Sequence, residues 1–319
     1  MDALDHDAIL ELLHDPDPGN RQVALIQLED LACAESVEPL LVALGDVDAV
    51  VRKLAVARLE EIGDERAVPG IIDRLVDEDE EVRDAAGSAL RDFRGENVAA
   101  AMIEAMQHPE ADVRRGVIVG LRELKDQRAL EPLIRALADK SAEVRQEAVV
   151  TLAYLRLTDA IEPLRHRLSD PDAGVRRLAV GALDFWNGPA LLEDFIRTLG
   201  DSDWRVRVES AIVLGRSKLS AAIPGLRKAL EDPYWQVQKE AIAALGRLTA
   251  AAAASDLIRF LTSEMSDLRR AAAYALGDIR APEATTALRT LSSDPDAEVR
   301  KAATRALEAI EQADAAKGD

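Results

Sequence analysis

Apolar positions in this chain recur at helical intervals. In EVRQEAVVTLAYL (143–155), Val144, Ala148, Leu152 and Leu155 follow one another at spacings of four, four and three, the single stripe of an amphipathic helix. Just upstream, ALEPLIRAL (129–137) is a shorter amphipathic run with Pro132 in its first turn, where the missing N–H removes no helical bond. DKSAEV joins the two, and Ser141 stands where a helix takes its cap; Asp48, Asp79, Asp172 and Asp203 occupy the same place elsewhere. No segment alternates with period two over the length of a strand. The pattern predicts an all-α protein built of paired helices.

The pairing repeats. The Arg of the phrase DxDxxVR occurs at Arg52, Arg83, Arg114, Arg145, Arg176 and Arg207, each 31 residues after the last. The series reaches back to Arg21 and forward through Gln238, Arg269 and Arg300, giving ten copies in phase. A Leu follows each anchor by seven places, from Leu28 to Leu307. One hairpin of this size cannot bury both of its faces, but stacking hides them against neighbours. The expectation is one α-solenoid over residues 1–319, with no linker or second domain and a polar tail at 311–319 that frays.

The DxDxxVR turn, the Leu at plus seven and GDERAV (63–68) together resemble HEAT-like repeats, in the short 31-residue form associated with phycobilin lyases. The resemblance covers nearly the whole chain. It implies a curved stack with the second helices on the concave side, and a ladder of ion pairs in which each turn Asp meets the anchor Arg of a neighbouring repeat.

Composition narrows the function. The formal net charge is −19, which disfavours nucleic acid and anionic membranes, both of which need a basic face, and favours partners with basic patches. No apolar run reaches the length of a membrane span, and the acidic N-terminus lacks the pattern of a secretion signal; a cytoplasmic location is expected. Cys33 is the only cysteine, with no His placed by sequence to activate it. Some HEAT-like enzymes, the deoxyhypusine hydroxylases, hold iron with His-Glu pairs; here His6, His14, His108 and His166 are none of them followed by Glu. No metal site, cofactor or catalytic set is expected.

Where the copies differ, function has room. Positions at minus three, plus one, plus five and plus nine from the anchor share a helix face. At plus nine the residues run Asp30, Glu61, Asp92 and Glu123, then Tyr154 and Phe185, then Arg216 and Arg247. At minus three, copies seven and eight carry Trp204 and Trp235 in place of small residues; Val208, Ile212 and Tyr274 add apolar surface at plus one and plus five. In DPYWQVQKEA (232–241), Tyr234 takes the cap position and Gln238 replaces the anchor Arg. Trp186, where Leu or Ile is usual, reads as core. The two other tryptophans either fill gaps between hairpins or anchor a partner. Arg216 and Arg247 either answer the helix dipole or bind an anionic group. The reading that follows is a non-enzymatic scaffold that binds a protein segment in its concave groove. The family resemblance offers a bilin lyase subunit, or a maturation factor for a cofactor-bearing protein, as the alternative.

Overall fold

The computed structural model describes residues 6–29, 33–186 and 188–318; Asp30 lies outside them. Among the described residues the chain is all helical, without a strand. It forms two compact units, Met1–Pro163 and Leu164–Asp319. Both are built of helical hairpins, and the fold is an α-solenoid. In the first unit the second helices Pro18–Gln27, Ala49–Ile62, Glu80–Asp92, Ala111–Leu124 and Ala142–Leu155 pack side by side in chain order. In the second unit Ala173–Leu183, Trp204–Arg216, Trp235–Arg247, Ser266–Ile279 and Ala297–Gly318 do the same. Shorter first helices, such as Val37–Ala43 and Leu130–Ala136, back them. The last helix runs through Gly318, and its buried Ala313 continues the apolar stripe into the segment read from sequence as a polar tail.

The sequence signals act where they were read. Asp48 accepts the N–H of Val51 at 3.0 Å, Asp172 that of Val175 at 2.9 Å, and Ser141 that of Val144 at 3.3 Å. The Leu at plus seven is fully buried from Leu28 through Leu276, each contributing about 2 kcal/mol of transfer energy.

Hydrogen bonding joins successive copies. The Arg52 guanidinium forks onto the turn Asp of the next copy, with Nε donating to Asp77 Oδ2 at 2.9 Å and Nη2 to Oδ1 at 2.6 Å. Its Nη1 donates to the carbonyl of Asp46, in the turn of its own copy, at 2.9 Å. The same fork joins Arg21 to Asp46 and Arg114 to Asp139 in the first unit, and Arg176 to Asp201, Arg207 to Asp232 and Arg269 to Asp294 in the second. Each of these Asp residues also accepts the N–H two places on, as Asp77 does from Asp79 at 3.0 Å. One carboxylate thus closes its own turn and clasps the preceding copy.

Among the described residues two rungs are missing, one lacking its carboxylate and the other both of its halves. Arg83 keeps its bonds to the carbonyls of Asp77 and Glu78, but the residue 25 places on is His108, and among the described residues no carboxylate pairs with Arg83. His108 Nδ1 accepts the N–H of Glu110 at 3.1 Å, so the imidazole performs the turn role alone. Gln238 likewise keeps the local bond, to the Asp232 carbonyl at 2.9 Å, and 25 places on stands Ser263, whose hydroxyl accepts the N–H of Met265. Gln in place of Arg is therefore matched by the loss of Asp from the following turn.

In the second unit the second helices meet through small residues. A Cβ on Gly215 would lie 2.8 Å from Ala244 Cα, one on Gly246 2.8 Å from Ala275 Cα, and one on Gly277 2.9 Å from Ala306 Cα. Four of the five corresponding positions in the first unit hold charged residues, Glu29, Glu60, Arg91 and Arg122, and the fifth holds Ala153; the second unit has Asp184 at this place in its first copy.

Four substitutions test this framework. The Arg52–Asp77 side chains are only 5% and 2% exposed, so Asp77→Asn should cost about 3 kcal/mol in urea unfolding, as expected for one partner stripped from a buried pair. Burial pushes the Asp77 carboxyl up, but the Arg52 fork and the Asp79 N–H outweigh it and hold it below its usual value. A lowered carboxyl stabilises the fold above its unfolded value and loses that effect as pH falls through the folded one. The difference between wild type and Asp77→Asn should therefore be constant above about pH 5 and shrink towards pH 3. His108→Asp should raise stability by about 1 kcal/mol by completing the rung at Arg83, whereas Ser263→Asp, facing Gln238, should not. Gly246→Ala should cost about 1–3 kcal/mol, because the new methyl meets backbone, read as a lower urea midpoint.

Candidate functional site

The repeats place the cap residue of one second helix beside the start of the preceding one, and this brings two of the expected residues together. Trp204 and Tyr234 stack with ring centroids 5.8 Å apart and planes 12° from parallel. The Arg205 guanidinium lies 5.2 Å from the Trp204 centroid, and that of Arg207 lies 5.5 Å from the Tyr234 centroid. Arg207 is also the anchor paired with Asp232, so the Tyr234 ring rests on a rung of the ladder. Tyr234 stands at the N-cap without a side-chain cap bond; its N–H donates to Asp232 at 2.9 Å. The ring is 45% exposed, and Trp204 is half-buried. Trp235, the counterpart of Trp204 in the next copy, is half-buried with Lys239 at 6.0 Å. The cap position that follows it holds Met265, also exposed. Trp204, Tyr234, Trp235 and Met265 therefore occupy successive places along the cap edge of the second unit.

The other expected residues are distributed differently. Val208 and Ile212 are half-buried on the helix that begins at Trp204, and Tyr274 is exposed on Ser266–Ile279. Phe185 is 55% exposed and meets Trp186 edge to face at 5.3 Å. Trp186 is half-buried in the short turn Asp184–Trp186, not core as its position suggested, because the helix ends at Leu183. Tyr154 belongs to the first unit, where Lys125 sits 5.3 Å from its ring centroid. Arg216 and Arg247 already have carboxylates: Arg216 bonds Asp184 at 2.8 Å, and Arg247 lies 3.7 Å from Glu240. Burial raises the nearby Glu209 carboxyl, against the pull of Arg177 and Arg216.

Sequence reading missed two features. His6 Nε2 lies 3.4 Å from Cys33 Sγ, although 27 residues separate them, because the first hairpin folds back on itself. Its shorter contact, 2.8 Å, is to the fully buried Ser36 hydroxyl, which gives the imidazole a structural use. Charge is the second. Met1–Pro163 carries 36 Asp and Glu against 18 Lys and Arg, whereas Leu164–Asp319 carries 23 against 22. The acidity belongs almost wholly to the first unit, and the whole-chain figure conceals this. Among the described residues, no group of three His, Cys, Asp or Glu is placed to hold a metal, and no helix is long and apolar enough to cross a membrane.

The model of HEAT repeats matches residues 7–91, 99–184, 161–246 and 223–308. The chain belongs to the HEAT-repeat family. The match is to HEAT repeats as such and does not single out the lyase form. No curated protein matches the chain in sequence. Among solved structures, an engineered protein is 23% identical, with 97% of this chain and 99% of that one covered and a TM-score of 0.52. Kap95p, in a structure with RanGDP, is 13% identical over 96% of this chain and 49% of its own, with a TM-score of 0.67. Importin beta is 16% identical over 96% of this chain and 51% of its own, with a TM-score of 0.64. This chain thus spans about half the length of those two HEAT solenoids. At these identities the likeness is one of fold.

Proposed function

We propose that this HEAT-repeat chain is a non-enzymatic interaction scaffold that grips a partner protein segment at the cap edge of its second unit. The carrying observation is the Trp204–Tyr234 stack, in which the exposed Tyr234 lies against the half-buried Trp204. Tyr234 occupies a cap position without a side-chain cap bond, and it is 45% exposed. A repeat that gives up a capping side chain for an exposed aromatic has traded local stability for something else. Trp, Tyr and Arg are the residues that dominate binding energy at interfaces, and all three are concentrated here. Val208, Ile212 and Tyr274 extend the apolar surface, and Phe185 offers a further aromatic contact. Arg216 and Arg247, already paired, serve to orient the neighbouring carboxylates. Tyr154, in the first unit, is a separate contact. The solved Kap95 complex with Nup1 is an instance of such a solenoid holding a protein.

Trp204→Ala with Trp235→Ala should leave helicity by circular dichroism unchanged and lower capture of the partner from lysate at least tenfold, as loss of two aromatic hot spots implies. Unfolding of the double variant would make the tryptophans core; equal capture by both proteins would place the site elsewhere. The bilin-binding alternative predicts a visible absorption shift on mixing the chain with a bilin, and an unchanged spectrum would remove it.

A further inference from the structure

A second departure from the repeat lies in the first unit. Four places after the anchor, six second helices carry a large, fully buried apolar side chain: Leu25, Val56, Ile118 and Val149 in this unit, Val180 and Ile242 in the other; Ala211 and Ala273 are small and buried, and the last copy has Thr304. Copy three has Gly87 there. A Cβ at Gly87 would meet only Leu75 Cδ2, at 3.8 Å, so the missing side chain leaves a hole that its neighbours do not close. Leu75 leans towards it, and on the facing helix this is possible only because position 116 is also Gly: a Cβ there would lie 2.7 Å from Leu75 Cδ1. The result is an open cleft of about 530 Å³ with Leu75, Gly87, Gly116 and Val119 among its lining.

The charged lining is largely self-satisfied. Arg115 lies 3.4 Å from Asp112, and Glu147 accepts from Arg122 at 2.8 Å. Arg91 Nε donates to the Gly87 carbonyl at 3.3 Å. Two groups remain. Asp84 is exposed and has no cation in ion-pair range among the described residues. Arg83 is the anchor whose rung is missing, so its Nε and Nη2 edge holds no Asp. Outside the cleft the unit as a whole has twice as many acids as bases; on the same copy, Glu78 and Glu81 are 87% and 75% exposed, Glu81 paired with Lys53 at 2.7 Å and Glu78 lying 3.5 Å from Arg52.

We propose that this cleft docks an extended, Lys/Arg-rich protein segment through one apolar side chain inserted over Leu75 at Gly87. The acidic unit attracts the segment, Asp84 takes one of its cations, and the vacant edge of Arg83 donates to one of its main-chain carbonyls. The apolar side chain gives specificity that charge alone lacks. This names a partner chemistry for the scaffold reading above and rests on it, but in a different unit and on different residues.

The probe is a short labelled Lys-rich peptide with one central Leu, compared by fluorescence polarisation with its Ser analogue and with an analogue in which Asp replaces Lys. Wild-type protein should bind the Leu peptide about tenfold more tightly than the Ser peptide, the worth of one buried aliphatic side chain, and the acidic analogue least. Gly87→Val restores the residue type of the sibling copies and favours the helix, so it should fold with undiminished thermal stability while reducing the Leu peptide to the affinity of the Ser peptide. The Trp204→Ala, Trp235→Ala protein should keep the Leu preference, so failure of the cap-edge site leaves this test intact. Equal binding of Leu and Ser peptides, an unchanged preference in Gly87→Val, preference for the acidic analogue, or loss of the preference in the tryptophan variant would each overturn the proposal.

Discussion

The architecture depends on one bidentate contact: a guanidinium planted on its own turn and forked onto the carboxylate of the next. Either residue alone would be a poor thing to bury. A desolvated Asp tends to take up a proton, and a desolvated Arg without a partner is costly. Together, with the turn N–H groups added, every strong donor and acceptor at the rung is used. The contact also fixes register, because the fork geometry accepts a carboxylate in one orientation. Leucines bury area between the same helices, but they would tolerate a slide that the rungs do not.

Most of this was legible in the sequence because each repeat states it again. Period, caps and the buried Leu follow from comparing copies, where noise at single positions averages out; the ladder is what the resemblance to HEAT-like repeats implies. Averaging was also the source of error. A single net charge hid the contrast between the units, and a face defined by spacing grouped Tyr154 with residues of the other unit. Position in the repeat does not give the burial of Trp186, because the local helix stops at Leu183. The His6–Cys33 contact was invisible for another reason: it arises in the first hairpin, where no copy precedes it to compare. Gly87 and His108 were readable in principle, as departures in copies three and four, but small or polar substitutions attract less notice than a tryptophan.

The two departures of greatest functional interest share a logic. At Tyr234 the chain gives up a cap, and at Gly87 it gives up a core side chain. Each change lies beside a missing rung, Gln238 with Ser263 in one case and Arg83 with His108 in the other. A modular protein can concentrate such losses in single copies because neighbouring repeats hold the local geometry. Function is then added one repeat at a time, against a scaffold that stays constant.

The glycines at 215, 246 and 277 have a mechanical consequence. Where backbones touch through a hydrogen atom and a methyl group, there is no long side chain to change rotamer and little volume to compress, so the second unit should resist flexing between its second helices. Four of the five second helices of the first unit hold charged chains at the equivalent position, Ala153 being the exception, and such chains can reorient, hydrate and respond to ionic strength. One half of the molecule is thus built as a brace and the other as a spring whose stiffness salt can tune.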